Sequence, residues 1–334
     1  MATFISKEGC SRKRCKLTTN SEVFFSLVDY RNCLFTSNNG KNILEFYDSF
    51  KNREDLIEWM RERPKGATYV HEVEGNKNII VVITTADFYG ENAKKCKDIV
   101  FKGLQIIFVE SGEVPDFYFN AAHNANIGIK EALEYNPEWI IYSNDDVETD
   151  NIQGLITILK SNPRESYLVP LRKNTEAQFQ IFDAKFPSLL AHALFSLFSG
   201  DIEYGVSSLK MLKVKFWAHN GLFFSAREGI LYKFLKFLSF PVSLPYENFS
   251  DFGIFRATVL REFKFEESFI NGVEDTELTL RLINCGIFPK VIPFKVRSAK
   301  GGGQTLGDLR SLPRHLRDYS NLILLKKIVK EFSL

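Results

Sequence analysis

Two pairs of adjacent acids stand where chemistry would need them. Asn144-Asp145-Asp146 follows Trp139-Ile140-Ile141-Tyr142-Ser143, a run with the length and apolar character of a buried strand. Adjacent carboxylates at the exit of such a strand are costly to desolvate. A helix N-terminus, a divalent cation, or both are therefore expected to hold them. Glu274-Asp275 is the second pair. It follows Gly272 and opens a segment of helical spacing, with Leu278, Leu282 and Cys285 on one face and Gly286 as its stop. The start of a helix favours an ionised carboxylate, the form a general base needs. Each pair also has a purely architectural reading as helix caps: Asp145 and Asp146 for a helix beginning near Asp150, Asp275 for its own helix.

The elements that must position these acids alternate along the chain. Residues 79–85 (IIVVITT) and 104–110 (LQIIFVE) read as buried strands, with a helix-length segment at 91–103 between them. A helix over 121–135 precedes the strand at 139–143. Strands alternating with helices predict an α/β fold, a mainly parallel central sheet flanked by helices, with right-handed crossovers. Ligands of such sheets bind at the carboxyl ends of the strands, where Thr84, Thr85 and Asp87 are placed to line a nucleoside pocket. For the threonines, ordinary strand packing is an equal reading. His123 and Asn124 stand near the start of the next helix, with a donor contact or a cap for Asn124 as the two readings. Neither a G-x-G-x-x-G fingerprint nor a P-loop follows the first strand. Phosphates would be held another way, and a metal on the acidic motif is the expectation.

Later elements are a helix at 152–159, a strand at 166–170, a strand at 290–296 and a Leu- and Lys-rich helical tail over 306–333. Residues 1–75 read as an extension with a basic cluster (Arg12, Lys13, Arg14, Lys16) and a helix ending before Pro64. No chemistry is assigned to it. His71, His192, His219 and His315 are read as structural or exposed.

Lys and Arg total 43 against 41 Asp and Glu, so no global field favours nucleic acid. The five cysteines are irregularly spaced, which argues against a disulfide framework, and Cys10, Cys15 and Cys33 lack a fourth zinc ligand. The N-terminus has no apolar signal core, and no run reaches the roughly 18 apolar residues of a membrane span. A cytoplasmic setting is expected. Residues 186–198 and 230–240 are apolar and amphipathic, and lysines 233, 236, 326, 327 and 330 accompany the second segment and the tail. Peripheral contact with an anionic membrane is one reading of these, ordinary core and surface helices the preferred one.

Three segments in order resemble the family 2 glycosyltransferases of the GT-A fold. Asn126-Ile127-Gly128 with Ala132, leading into Pro137-Glu138-Trp139-Ile140-Ile141, is similar to the family's N-x-G-x-x-x-A helix and following strand. Ser143-Asn144-Asp145-Asp146-Val147 is similar to its DXD-type motif. Phe265-Glu266-Glu267-Ser268-Phe269 and Gly272-Val273-Glu274-Asp275-Thr276-Glu277-Leu278, with Arg281-Leu282 and Gly286, resemble its F-D-E-x-F and G-x-E-D-x-D-L-x-x-R-L-x-x-x-G blocks. Phe186-Pro187-Ser188-Leu189-Leu190 resembles a segment of the rhamnosyltransferase-like branch.

The resemblance implies a GT-A glycosyltransferase domain over 76–303, with 1–75 and 304–334 outside it. It implies inverting transfer of a hexosyl or deoxyhexosyl group from a nucleotide-diphosphate sugar to a glycan, lipid-linked or protein acceptor. Within it, Asp146 is the candidate ligand of Mg²⁺ or Mn²⁺, Asp145 meets the ribose hydroxyls, and Asn144, Asn126 and Glu110 join the donor site. Asp275 is the candidate base, with Glu274 orienting the acceptor or the base. Asn144 stands where many members have Asp, Glu110 where an Asp commonly contacts the base, and Glu277 where Asp is usual. Ala299-Lys300 precedes the glycines where a His often stands, which leaves Lys300 to offset diphosphate charge. Two other classes compete: a catalytically silent sugar-nucleotide-binding protein, and a sugar-nucleotide pyrophosphorylase. Thr85-Ala86-Asp87-Phe88 is not the Gly-rich basic loop the latter usually shows.

Overall fold

The computed structural model describes residues 27–111, 118–149, 151–172, 181–184, 221–223, 241–242, 249, 251–298, 312–329 and 331. Three short helices come first: α1 (Leu27–Phe35), α2 (Gly40–Asp48) and α3 (Arg53–Glu62). Strand β1 (Thr68–Val73) leads into β2 (Asn76–Thr85), α4 (Glu91–Lys95) and a π turn (Cys96–Val100). Then come β3 (Leu104–Ser111), α5 (Ala121–Glu134), β4 (Trp139–Asn144), β5 (Val147–Thr149), α6 (Ile152–Ser161) and β6 (Tyr167–Arg172). Three short strands, β7 (Ile181–Ala184), β8 (Gly221–Phe223) and β9 (Pro241–Val242), pair in a small separate sheet. The rest is β10 (Phe252–Arg256), α7 (Ala257–Glu262), α8 (Glu274–Asn284), β11 (Lys290–Ser298) and α9 (Leu312–Val329).

The main sheet has eight strands in the order β1-β3-β2-β4-β10-β6-β11-β5. Its centre is the expected parallel trio, with β2 between β3 and β4. The expectation of a mainly parallel sheet is corrected. β10 is antiparallel to both β4 and β6, and β1 and β5 close the two edges antiparallel. With β6–β11 parallel, four of the seven pairings among the described residues are antiparallel. The cause is β10, whose sequence Phe-Gly-Ile-Phe-Arg is too short to signal a strand by periodicity. It inserts between β4 and β6, and the chain then returns through α7 and α8 to β11.

Alternate residues of the central strands feed opposite cores, as the period of two demands. Ile79, Val81, Ile83, Ile106, Phe108 and Ile141 pack with the α4–π-turn segment and α6. Ile80, Val82, Ile107, Val109 and Ile140 pack with α5, α7 and α8. α5 lies close on the sheet because Gly128 has no Cβ. One placed there would sit 2.5 Å from Val82 Cγ1 and 2.8 Å from Val109 Cγ2. Gly103 and Gly286 end their helical segments at φ +88° and +81°, the left-handed stops expected of them. Cys285, read as part of the apolar face of α8, is exposed, while Leu278 and Leu282 are buried.

A third core joins the two ends of the chain. Phe35, Phe46, Trp59 and Met60 of the first helices pack with Ile323, Leu324 and Leu325 of α9 and with Phe269, Ile270 and Leu280. β1 is part of the main sheet, paired from Thr68 opposite Ser111 to Val73 opposite Ile106. Among the described residues no helix is long and apolar enough to cross a membrane. The amphipathic segments 186–198 and 230–240, and the loop from Ala299 to Gly303, lie outside the described residues.

Gly128→Val should lower stability by about 1–3 kcal/mol, the usual cost of overpacking. Urea denaturation checks it: the midpoint falls while the slope stays unchanged.

Candidate active site

Strand register brings the first acid motif to the same end of the sheet as Thr84, Thr85 and Glu110. Thr84 is opposite Asn144, and Thr85 is opposite Glu110, at the carboxyl ends of the parallel trio. Asp145 and Asp146 form the tight turn between β4 and β5. They do not cap α6, whose N-cap is Asn151. The capping reading of this pair is therefore removed. Thr85 Oγ1 donates to Asp145 Oδ2 at 2.7 Å, and the buried Cys96 thiol donates to the Asp145 carbonyl at 3.3 Å. Burial pushes the Asp145 carboxyl up, the Thr85 hydrogen bond opposes this, and the neighbouring Asp146 charge adds to it. The Cys96 thiol is pushed up to about 12 by its burial and then by Asp145 and Asp146, so it is an inert packing group.

Behind Asn144 lies a residue that sequence reading passed over. Tyr142, two positions earlier on the same strand face, is buried with its hydroxyl 3.4 Å from Asn144 Oδ1. The Thr84 hydroxyl is 3.5 Å from the same oxygen. Burial first, then the negative charge of Glu274, pushes the phenol up; a hydrogen bond from Thr84 works against this and Asp275 adds to it. The phenol thus stays protonated, and Tyr142 shares a buried core with Leu278 and Leu282 of α8, the helix that Glu274 and Asp275 open. Strand parity with Asn144 was the signal available in the sequence.

Glu110 is held on two sides. His71 Nε2 lies 2.7 Å from Glu110 Oε2, and the Phe88 amide donates to Glu110 Oε1 at 3.0 Å. The His71 ring stacks on Phe88 at 4.1 Å and 4°, and Lys97 Nζ covers the ring 3.9 Å from its centroid. His71, set aside as structural or exposed, is therefore a contact of a candidate site residue, delivered by edge strand β1. Asp87 is exposed and its carboxylate accepts from the Tyr89 amide at 2.9 Å.

Asn126 is turned to the loop that follows α7. Its Oδ1 accepts from Phe265 N and its Nδ2 donates to Phe265 O, each at 2.9 Å, with a further 2.8 Å bond to Glu267 Oε1. Glu267 Oε2 takes His123 Nδ1 at 2.8 Å. Asn124 is buried on α5; the N-cap of that helix is Asn120. Asn120 donates to the carbonyls of Glu267 and Phe269 at 2.8 and 3.0 Å. Asn271 Oδ1 accepts from Ala121 N, and its Nδ2 donates to Phe119 O. The loop then runs through Val273 in the left-handed region at φ 63°, which is rare and costly for a β-branched residue. Val273 holds the cap position of α8 without a side-chain cap. Glu274 and Asp275 thus open α8 without being its N-cap. Glu277 is buried, pushed up by burial, and paired with Arg281 at 2.7 Å.

The donor chemistry at β4–β5 fits a hard divalent cation. Two adjacent carboxylates, one raised by burial and by its neighbour, have like charge that a cation would offset. Among the described residues no three His, Cys, Asp or Glu side chains converge as a metal set. A magnesium site completed by one or two carboxylates and substrate phosphates does not require three. Compared with models of known protein families the chain matches none. No curated protein matches it either.

Because Asp145 is raised in the fold, folding favours its protonated form more than the unfolded chain does. Its contribution to stability is present below the unfolded carboxylate range and is lost as pH rises through the folded value. Asp145→Asn, which can still accept from Thr85, should raise the melting temperature at neutral pH. The gain should vanish below the ordinary carboxylate range, as a pair of thermal melts at the two pH values would record.

Proposed function

We propose that the chain is an inverting, GT-A type glycosyltransferase resembling family 2, acting on a nucleotide-diphosphate sugar. The observation that supports this reading is that Asp145-Asp146 leave the carboxyl end of a parallel trio, while the helix opened by Glu274-Asp275 shares a buried core with Tyr142 of the same strand. The fold is the coarser support: a mixed eight-stranded sheet flanked by helices, with ligand-end acids at the switch from parallel to antiparallel pairing.

In this reading Asp146 would hold Mg²⁺ or Mn²⁺, and Asp145, fixed by Thr85, would meet the ribose. The cation's contribution when bound is to stabilise the charge gathering on the leaving diphosphate. Thr84, Thr85 and Asp87 border the nucleoside. Glu110, held by His71 and the Phe88 amide, offers its remaining lone pairs to the base. Asn144 stands over Tyr142 at the donor side. Asn126 acts by shaping the acid loop rather than by touching the donor. Asp275 takes the proton of the acceptor hydroxyl as its oxygen attacks the anomeric carbon, and the nucleoside diphosphate departs. A single displacement of this kind inverts the anomeric centre. Glu274 orients the acceptor.

A silent sugar-nucleotide-binding protein would keep the first half of this chemistry without the second. The presence of both acid pairs favours the enzyme. The setting read from the sequence is cytoplasmic, with peripheral membrane contact as an addition, and the acceptor is a glycan, lipid-linked or protein hydroxyl.

Two variants test the reading once a nucleotide-sugar screen with Mn²⁺ has identified a donor by thermal stabilisation. Asp146→Ala should abolish the Mn²⁺-dependent part of nucleotide binding in calorimetry while the far-UV spectrum is unchanged. Asp275→Asn should fold, bind donor like the parent, and lose transfer by on the order of 10²–10⁴-fold. Near-parental transfer would assign Asp275 to helix architecture alone.

A further inference from the structure

We infer that Asn321 of α9 is a positioning residue for the Glu274-Asp275 loop, so that the C-terminal helix is part of the catalytic apparatus. This deepens the glycosyltransferase reading and rests on it for the word catalytic. The geometric claim stands without it.

The loop between α7 and α8 has no strand or helix to satisfy its backbone, yet Phe265, Phe269 and Ile270 are buried. Buried peptide groups need partners. At Ile270 both partners come from one side chain. Asn321 Oδ1 accepts from Ile270 N at 2.9 Å, and Asn321 Nδ2 donates to Ile270 O at 3.0 Å. Asn321 is 1% exposed, so water cannot substitute for it. Asn126 makes the same two-bond clamp on Phe265, five residues earlier. The loop is thus gripped at Phe265 from α5 and at Ile270 from α9. Both grips lie upstream of Asn271 and Val273, whose positive φ values turn the chain into Glu274. Backbone in that region springs back unless its surroundings fix it. Asn321 fixes the last buried residue before the strained turn. Arg317, one turn earlier on α9, donates to the carbonyls of Phe35 and Ser37, so the helix carrying Asn321 is itself anchored.

The decisive substitution is Asn321→Asp. When protonated, the introduced carboxyl accepts from Ile270 N and donates to Ile270 O, which restores the clamp. When ionised, it faces the Ile270 carbonyl with negative charge and breaks it. Asn321→Leu breaks the clamp at every pH. The measurements are transfer kinetics and amide hydrogen exchange on the full chain between pH 5 and pH 8. At pH 8 we expect both variants to keep the donor KM and to lose kcat by on the order of 10²-fold, the scale of an ångström misplacement. At pH 5, relative to the parent at that pH, Asn321→Asp recovers and Asn321→Leu does not. Exchange protection falls over residues 269–275 and not over the parallel trio. Parental kcat in both variants, or a kcat loss in Asn321→Asp that does not depend on pH, overturns the proposal. If the parent transfers from no nucleotide sugar, the glycosyltransferase reading falls. The clamp is then judged by exchange alone: loss at 269–275 that reverses at low pH in Asn321→Asp supports it, and unchanged protection refutes it.

Discussion

Asparagine amides do at this site what a sheet or helix does elsewhere. An amide carries one acceptor and two donors in a plane and can mimic the edge of a peptide. Asn120, Asn126 and Asn321 use this to satisfy the backbone of a loop that is neither strand nor helix, and Asn271 ties that loop to the start of α5. Without them the buried carbonyls and amides of residues 265–270 would be left desolvated, at the cost that attends unpaired polar groups in an apolar setting. The position of the second acid pair depends on this arrangement more than on any apolar contact.

The first acid pair rests on a different principle. Asp145 and Asp146 leave a strand buried from Trp139 to Ser143, and that strand is paired on both flanks. Its electrostatics are those of a site prepared for charge. Asp145 is raised by burial and by its neighbour, and Tyr142 beneath is kept a neutral donor. Adjacent carboxylates held this way repel one another, and a bound cation would relieve that repulsion.

What was legible in the sequence divides along range. β2, β3, β4, α5 and α8 were readable because long apolar runs and glycine stops are local signals. The acid motifs at their ends were readable for the same reason. β10 was not, since five residues with a glycine carry no period, and its insertion changed the sheet from mainly parallel to mixed. Nor was the role of the ends. His71 reaches Glu110 only because β1 pairs with β3, and Asn321 reaches Ile270 only through a core assembled from residues hundreds of positions apart. The caps were only partly legible. Capping of α6 was the lesser reading of Asp145 and Asp146, and Asn151 fills that role instead.

The core that joins α1–α3 to α9 also bears on the order in which the fold can assemble. Phe35, Phe46 and Trp59 are made early, yet their core includes Leu324 and Leu325. Until α9 packs, that aromatic surface lacks part of its cover. Contacts of such separation are slow to close, and uncovered apolar surface is where misassembly begins. The sheet and its first acid pair can form from residues already present in the middle of the chain. The clamp on Ile270, just before the turn into Glu274, cannot close until α9 packs, so the first acid pair can be in place before the second.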